Sequence, residues 1–226
     1  MRTILHKLPV AIALLSANPM AAQQQNVWRD SLETLTRQIA LAPSSVELRL
    51  RKAAVNMQLQ QWEYAINEYT DILLQQPDNL SALYFRAFAR NNLRRYEPAR
   101  SDYESVLKLA PHNFEARLGL AYTLVMLGKQ ADAMEQMNRL VEQHPDSAMA
   151  YAARAGLERD QRQYAPSLYD WGEAMRLAPD NADYAVSKAD VLLLMGKKRE
   201  AKAVLDKQVK RGVARGALRE WYAKCK

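Results

Sequence analysis

Residues 80–113 read LSALYFRAFARNNLRRYEPARSDYESVLKLAPHN, and the pattern of this 34-residue stretch recurs along nearly the whole chain. Its closing proline belongs to a series whose neighbouring members lie 34 residues apart: Pro43, Pro77, Pro111, Pro145 and Pro179. A proline cannot continue a helix, so each of these residues marks the end of a helical segment. The period predicts five full units, at residues 46–79, 80–113, 114–147, 148–181 and 182–215. The last unit has Val213 where the others have proline.

Each unit has the apolar pattern of two antiparallel helices. Alanine occupies the eighth position of every unit, and it occupies the twentieth position of every unit except the fourth, which has Ser167. Large residues follow at the twenty-fourth and twenty-eighth positions, and spacings of four place them on one helical face. A lone helix pair would leave an apolar face exposed to water. We therefore predict an all-α stack of helix pairs.

The period, the alanines, the large residue at the twenty-fourth position and the closing proline resemble the tetratricopeptide repeat. The resemblance covers residues 46–215 fully and residues 27–45 by half a repeat. It implies a right-handed superhelical solenoid of antiparallel helix pairs. The sequence departs from the family in two places. The family's tryptophan near the fourth position is absent from all five units, and the glycine of its Leu-Gly pair is always alanine.

The segments that flank the repeats have different roles. Residues 1–22 combine a positively charged start, a short apolar core and small residues, which is typical of a signal peptide cleaved after Ala22. Cleavage after Ala17, or a cytosolic protein with an apolar N-terminus, is the alternative. Residues 23–45 are predicted to be a polar spacer at 23–26 followed by the half-repeat helix. Residues 216–226 are predicted to be a basic capping helix that covers the open end of the stack.

Positive charge is concentrated at one end of the sequence. The whole chain carries +7, yet residues 23–195 hold 19 Lys and Arg against 22 Asp and Glu, whereas residues 196–226 hold 11 against 3. A whole-chain argument for nucleic-acid binding is therefore misleading. The candidate residues for an anionic partner are Lys197, Lys198, Arg199, Lys202, Lys210, Arg211 and Arg215. The alternative is that these cations form an ordinary solvated helix face.

The resemblance also implies where a partner would bind. In such arrays the first helix of each unit lines a concave groove, to which the second, fifth, ninth and twelfth positions point. The candidate groove residues are Leu50, Tyr84, Phe88, Asn91, Leu118, Tyr122 and Arg159. Their apolar and aromatic character suits a peptide or helix that presents apolar side chains. The alternative is that these residues pack between neighbouring first helices.

One known subclass of the family binds a partner's C-terminal carboxylate through Lys, Asn and Arg on successive first helices. The matching positions in the first three units hold Leu50, Ala54, Phe85, Glu115 and Gly119. None of these side chains can donate a hydrogen bond to a carboxylate. The sequence therefore disfavours recognition of that kind.

Enzyme chemistry has little support in the sequence. The three histidines are scattered, Cys225 is the only cysteine, and no catalytic triad, phosphate loop or metal-spaced cluster is present. We expect no catalytic activity and no cofactor. The sequence predicts an exported, periplasmic protein-interaction module with a protein or peptide partner. The alternative is an accessory protein that docks on an anionic envelope surface through its basic end. Nucleic acid and small-molecule substrates are disfavoured.

Overall fold

The computed structural model describes residues 19–226, and within them the secondary structure is helical without β-strands. The helices are α1 (Pro19–Leu41), α2 (Val46–Gln58), α3 (Trp62–Gln75), α4 (Leu80–Asn92), α5 (Tyr96–Leu109), α6 (Phe114–Met126), α7 (Gln130–Gln143), α8 (Ala148–Asp160), α9 (Tyr164–Leu177), α10 (Ala182–Leu194), α11 (Lys198–Lys210) and α12 (Arg219–Lys224). A 3-10 turn, Arg215–Leu218, precedes α12. The predicted all-α fold of helix pairs is confirmed, and each unit begins with a first helix at the predicted residue.

A side-chain cap fixes the start of every first helix. The residue before each of these helices is Ser or Asn, and its side-chain oxygen accepts a hydrogen bond from a backbone N–H of the first turn. The five caps are Ser45, Asn79, Asn113, Ser147 and Asn181. Such a cap satisfies a donor that would otherwise lack an intrahelical partner. The cap follows the closing proline by two residues, so one helix ends and the next begins within a four-residue connection.

The turn inside each pair needs a left-handed backbone at the fifteenth position of the unit. Glycine fills this position twice, with φ of 77° at Gly128 and 75° at Gly196. The other three units have Gln60, Arg94 and Arg162, with φ of 55°, 59° and 62°. A non-glycine side chain in this region carries a steric cost. The turn is therefore imposed by the packing of the two helices and not by glycine alone.

The small residues of the repeat are buried where the helices cross. The alanines at the eighth and twentieth positions, and Ser167 among them, have no exposed surface. The large residues at the twenty-fourth position are also buried, from Tyr69 and Tyr103 to Trp171 and Leu205. Ser167 keeps its hydroxyl satisfied because Oγ donates to the carbonyl oxygen of Ala155 at 2.8 Å. The repeated residues thus account for the core.

The chain also divides into two larger compact units, each made of several repeats, with a boundary between residues 133 and 134 inside α7. We call these two parts the N-terminal unit and the C-terminal unit. In the N-terminal unit, neighbouring helices from α1 to α6 pack in chain order. In the C-terminal unit, α8 to α11 pack in the same way, and α12 contacts α10 and α11. Leu218 is buried there against Ala189, Leu192, Ala201 and Leu205.

The start of α1 differs from the sequence prediction. Residues 23–26 were predicted as a spacer, but they lie inside α1, which begins at Pro19. Glutamine has a favourable helix propensity, so a run of polar residues can continue a helix. The predicted signal peptide lies outside the described residues up to residue 18. None of the helices in residues 19–226 has the length and apolar character needed to cross a bilayer.

Candidate interaction surface

The predicted groove residues of the N-terminal unit lie on the first helices α2, α4 and α6. Leu50, Tyr84, Phe88, Leu118 and Tyr122 are all half-buried. Helices α4 and α6 are in direct contact, although α5 separates them in the sequence. Each of these side chains therefore has part of its surface packed and part of it open to solvent.

Neighbouring rings hold the aromatic side chains of α4 in place. The Tyr84 ring lies edge-on to the buried Tyr103 ring, with centroids 5.9 Å apart and planes at 64°. Phe88 makes a similar contact with Trp62 of α3, at 6.2 Å and 61°. Phe85, which is 42% exposed, stacks on Tyr69 at 6.1 Å. Edge-to-face and stacked contacts of this kind restrict ring orientation.

The hydroxyl groups of this surface stay protonated at neutral pH. Burial raises the pKa of Tyr84, and the nearby Glu115 carboxylate raises it further. Burial also raises the pKa of Tyr122, with a smaller contribution from Tyr96. Both phenols can therefore donate a hydrogen bond to a partner while their rings offer apolar area.

Asn91, another predicted groove residue, is engaged within the array. Its Nδ2 donates to Thr123 Oγ1 at 2.8 Å, which joins α4 to α6. Thr123 is fully buried, and its hydroxyl also lies 2.7 Å from the carbonyl oxygen of Gly119. The structure thus gives Asn91 the packing role that the sequence left open as the alternative. A role in partner binding stays a prediction.

Arg159, the predicted groove residue of the C-terminal unit, also contacts a neighbouring first helix. It is only 6% exposed, and its Nη1 lies 3.3 Å from Asp190 Oδ2 on α10. Its Nη2 is 2.5 Å from Asp160 Oδ1. The guanidinium group therefore joins two first helices and has little surface left for a partner.

The seven predicted cations of the C-terminal end are all exposed. Several of them already have an intramolecular contact. Lys197 pairs with Glu200 at 3.3 Å, and Lys202 pairs with Asp206 at 3.4 Å. The Arg215 guanidinium lies over the ring of Tyr222 at 4.6 Å. Arg211 Nη1 donates to the carbonyl oxygen of Pro179 at 3.1 Å. Lys198, Arg199 and Lys210 have no ion-pair partner among the described residues.

The repeat has a second feature that was not among the sequence predictions, an ion pair between the two helices of a unit. The seventh position is basic and the twenty-third is acidic in three of the five units. The pairs are Lys52–Glu68, Arg86–Asp102 and Arg154–Asp170, with shortest N–O distances of 2.7, 2.7 and 2.6 Å. Comparing the five units position by position for charge as well as for apolar residues would have revealed this feature.

A model of the tetratricopeptide repeat family matches residues 93–157. A solved tetratricopeptide repeat protein from Parabacteroides merdae is 22% identical, with a TM-score of 0.65 over 90% of this chain and 79% of its own. The described part of this chain therefore has the fold of tetratricopeptide-repeat proteins.

Two further solved structures have the same fold. PilF of Pseudomonas aeruginosa is 19% identical and has a TM-score of 0.66, with coverage of 91% of both chains. YrrB, a tetratricopeptide-repeat protein with an unusual peptide-binding site, is 18% identical and has a TM-score of 0.59, over 79% of this chain and 92% of its own. At these identities the likeness shows the fold alone. No curated protein matches the sequence.

Proposed function

We propose that this protein binds a peptide or helix of a partner protein on the first-helix face of its N-terminal unit. The fold supports the general function of a protein-interaction scaffold. The particular surface is our proposal. We define the aromatic face as Tyr84, Phe88, Leu118 and Tyr122.

The observation that carries the proposal is the partial exposure of fixed aromatic rings. Tyr84 and Phe88 are held by edge contacts to Tyr103 and Trp62, yet each ring remains only half-buried. Rings that are already ordered lose little conformational entropy when a partner covers them. Tyrosine and tryptophan are also the residues that most often dominate binding energy at interfaces.

The chemistry of the face indicates the kind of partner. Leu118 and the rings of Tyr84, Phe88 and Tyr122 offer apolar area, whereas the two phenols offer donors. An amphipathic helix or extended segment with bulky apolar side chains and a few acceptors would match both. The peptide-binding site reported for YrrB supports peptide binding as a use of this fold, without placing the site here.

The test is selection from a displayed peptide library, followed by calorimetry with the selected peptide. We expect that Tyr84→Ala, Phe88→Ala and Tyr122→Ala together weaken binding at least about 100-fold, because truncating each ring removes a contact worth roughly 1 kcal/mol or more. The matched control is Tyr64→Ala with Leu74→Ala on α3, whose side chains are 64% and 78% exposed. The control should bind like wild type. Equal loss in both variants, or loss in the control alone, would refute the assignment.

A second candidate function is docking on an anionic envelope surface through the basic end. The observation in its favour is that all seven cations are exposed, and that among the described residues only Lys197 and Lys202 have an ion-pair partner. Exposed charges interact through water, so this binding should fall steeply as salt rises from about 0.05 M to 0.5 M.

Co-sedimentation with phosphatidylglycerol vesicles tests this second candidate. We expect Lys198→Gln, Arg199→Gln and Lys210→Gln together to reduce vesicle binding. A control with the same change in net charge is Arg51→Gln, Lys108→Gln and Arg162→Gln, at exposed positions outside the basic end. Equal binding by the two triple variants would remove the basic end from the contact.

We also propose that the protein is exported, as residues 1–22 suggest. The test is N-terminal sequencing of the mature protein from a periplasmic fraction. A start at Gln23 would support the proposal, whereas an intact Met1 in the cytosol would contradict it.

A further inference from the structure

In two of the three ion pairs between the helices of a repeat, the arginine at the seventh position binds two acceptor residues. Arg86 makes a bidentate contact with Asp102, at 2.7 and 3.0 Å, and its Nη1 also donates to Thr70 Oγ1 at 3.2 Å. Thr70 lies at the twenty-fifth position of the preceding unit. The cation at the seventh position is thus held by an acid of its own unit and by an oxygen of the unit before it.

The fourth unit repeats this arrangement. Arg154 binds Asp170 at 2.6 and 2.9 Å, and its Nη1 donates to Asn138 Oδ1 at 3.2 Å. Asn138 is the twenty-fifth residue of its unit, as Thr70 is. Two units therefore build the same site from the same three positions.

The fifth unit keeps the cation but has lost both acceptors. Lys188 stands at the seventh position, Val204 replaces the acid, and Gly172 occupies the twenty-fifth position of the preceding unit. A Cβ built on Gly172 would lie 3.1 Å from Lys188 Nζ, so the amino group approaches the space that a side chain fills in the other units. Among residues 19–226, Lys188 Nζ makes no hydrogen bond and no ion pair, and Lys207 is the charged group that acts on it.

The surroundings of Lys188 make the loss of both acceptors costly. Lys188 is half-buried, and burial together with the nearby positive charge of Lys207 lowers its pKa. A partly buried charge that lacks a partner destabilises the protein until an opposite charge reaches it. Gly172 and Val204 are only partly buried, so a group from outside can reach the amino group.

We propose that Lys188 binds a carboxylate of an acidic partner protein, which takes the position that Asp102 and Asp170 fill in the other units. A carboxylate is the group that the chain itself uses at this position. It can accept from Lys188 and fill the space beside Gly172 with its second oxygen. Lys207 adds a second positive charge nearby, so an acidic segment fits better than a single acid.

This contact goes beyond the proposed function, since it involves α9, α10 and α11 and not the aromatic face. The two can be tested separately. Tyr84→Ala, Phe88→Ala and Tyr122→Ala should leave the Lys188 contact unchanged, and Lys188→Met should leave binding at the aromatic face unchanged.

The experiment restores the missing acid within the chain. Val204→Asp should provide an internal partner for Lys188, whereas Val204→Asn has the same shape without the charge. The probe is a fluorescein-labelled ten-residue peptide of alternating glutamate and alanine, and alternating glutamine and alanine is the neutral control. Binding to the full chain is followed by fluorescence anisotropy at low salt.

We expect the wild type and Val204→Asn to bind the glutamate peptide. Val204→Asp and Lys188→Met should weaken binding at least about tenfold, because Lys188→Met removes the positive charge that the carboxylate needs and Val204→Asp neutralises it with an internal carboxylate. Ala165→Asp adds the same charge as Val204→Asp at an exposed position of α9 and should change binding less than twofold, roughly the effect of a distant surface charge. Equal binding by Val204→Asp and Val204→Asn would overturn the proposal.

Thermal unfolding and vesicle binding identify the group that Lys188 contacts. Val204→Asp should unfold about 2 °C or more above Val204→Asn, and the difference should vanish in the Lys188→Met background. No difference between the two variants would show that a carboxylate at this position does not reach Lys188, which would overturn the proposal. If Lys188→Met weakens binding to phosphatidylglycerol vesicles while the glutamate peptide does not bind the wild type, the partner is a lipid surface and the protein assignment is wrong.

Discussion

Tyr103 packs against the backbone of α6 at Gly119. A Cβ at residue 119 would lie 2.5 Å from the ring carbon Cζ and 2.8 Å from the hydroxyl oxygen. Tyr103 is 1% exposed and cannot move away without disturbing the core. Gly156 in α8 differs in this respect, since a Cβ there would have no neighbour within 4 Å. The two helical glycines therefore differ in the space that a side chain would have.

We predict opposite effects for alanine at these two positions. Gly119→Ala should lower the free energy of unfolding by about 1–3 kcal/mol, because the buried ring must shift. Gly156→Ala should raise it by up to about 1 kcal/mol, because alanine is the better helix former where space is available. Urea unfolding followed by circular dichroism measures both. Changes of the same sign would contradict the close approach of Tyr103 to α6.

Glu158 is a buried acid on α8 without a full set of partners. It is 7% exposed, and its Oε2 has no hydrogen-bond partner among the described residues. Burial raises its pKa to about 7, Asp170 adds to the rise, and Arg154 opposes it. The folded protein therefore holds a proton on Glu158 at pH values at which the unfolded chain has released it.

This difference predicts the sign of a pH effect. Between pH 4.5 and pH 7 the folded state binds more protons at Glu158 than the unfolded state, so the contribution of this group to stability falls as pH rises. Glu158→Gln should be more stable than wild type at pH 8, by on the order of 2 kcal/mol, and the gain should disappear near pH 5. Glu142→Gln, at an exposed position of α7, is the control. A constant difference across this pH range would contradict a raised pKa.

At the scale of the helix, the end of the array depends on a short C-terminal segment. Leu218 is 3% exposed and completes a cluster with residues of α10 and α11, and Trp221 and Tyr222 pack beside it. The Tyr222 hydroxyl donates to Asp206 Oδ1 at 2.7 Å, which joins α12 to α11. Repeat arrays need such a cap because the last pair has no following unit.

We predict that Leu218→Ala destabilises the C-terminal unit by about 2–4 kcal/mol, the usual range for removing a buried leucine side chain. Leu194→Ala is the matched control, because Leu194 lies on α10 but is 55% exposed. It should change stability by less than about 0.5 kcal/mol. Hydrogen exchange should become faster in α10 and α11 and stay unchanged in α2 and α3. Unaltered exchange in α10 and α11 would mean that the segment does not cap the array.

The sequence predicts the helix pairs well because several local signals agree. Asn79 and Asn113 cap helices where a closing proline has just ended the previous one, and buried alanines recur at fixed positions. The start of α1 was harder to predict, because polar residues such as Gln23 and Gln25 are compatible with both a helix and a spacer. Agreement between independent signals, more than any one of them, made the repeats predictable.

The candidate site was less predictable, because its residues depend on contacts between units. The sequence shows that Asn91 and Arg159 are polar residues at groove positions, but not that they bond to Thr123 and Asp190 on the next first helix. The loss of acceptors around Lys188 depends on residues 16 positions apart on both sides of it, Gly172 and Val204. Pairings at such separations become visible only when the five units are aligned and compared position by position for charge.

At the scale of the whole molecule, charge and apolar surface are separated along the chain. The aromatic face belongs to residues 19–133, whereas the excess of positive charge belongs to residues 196–226. Contacts at the aromatic face should respond little to salt, and contacts through the basic end should respond strongly. Salt dependence therefore distinguishes the two modes of binding.

Site-specific cross-linking in cells tests the central proposal most directly. The photoreactive residue p-benzoylphenylalanine is placed at position 84 or 122 on the aromatic face, and at position 64 or 74 on the exposed side of α3 as the control. We predict that positions 84 and 122 give adducts with the same partner protein and that positions 64 and 74 give none. Adducts at 64 and 74 with none at 84 and 122 would contradict the proposal that the partner binds on the first-helix face.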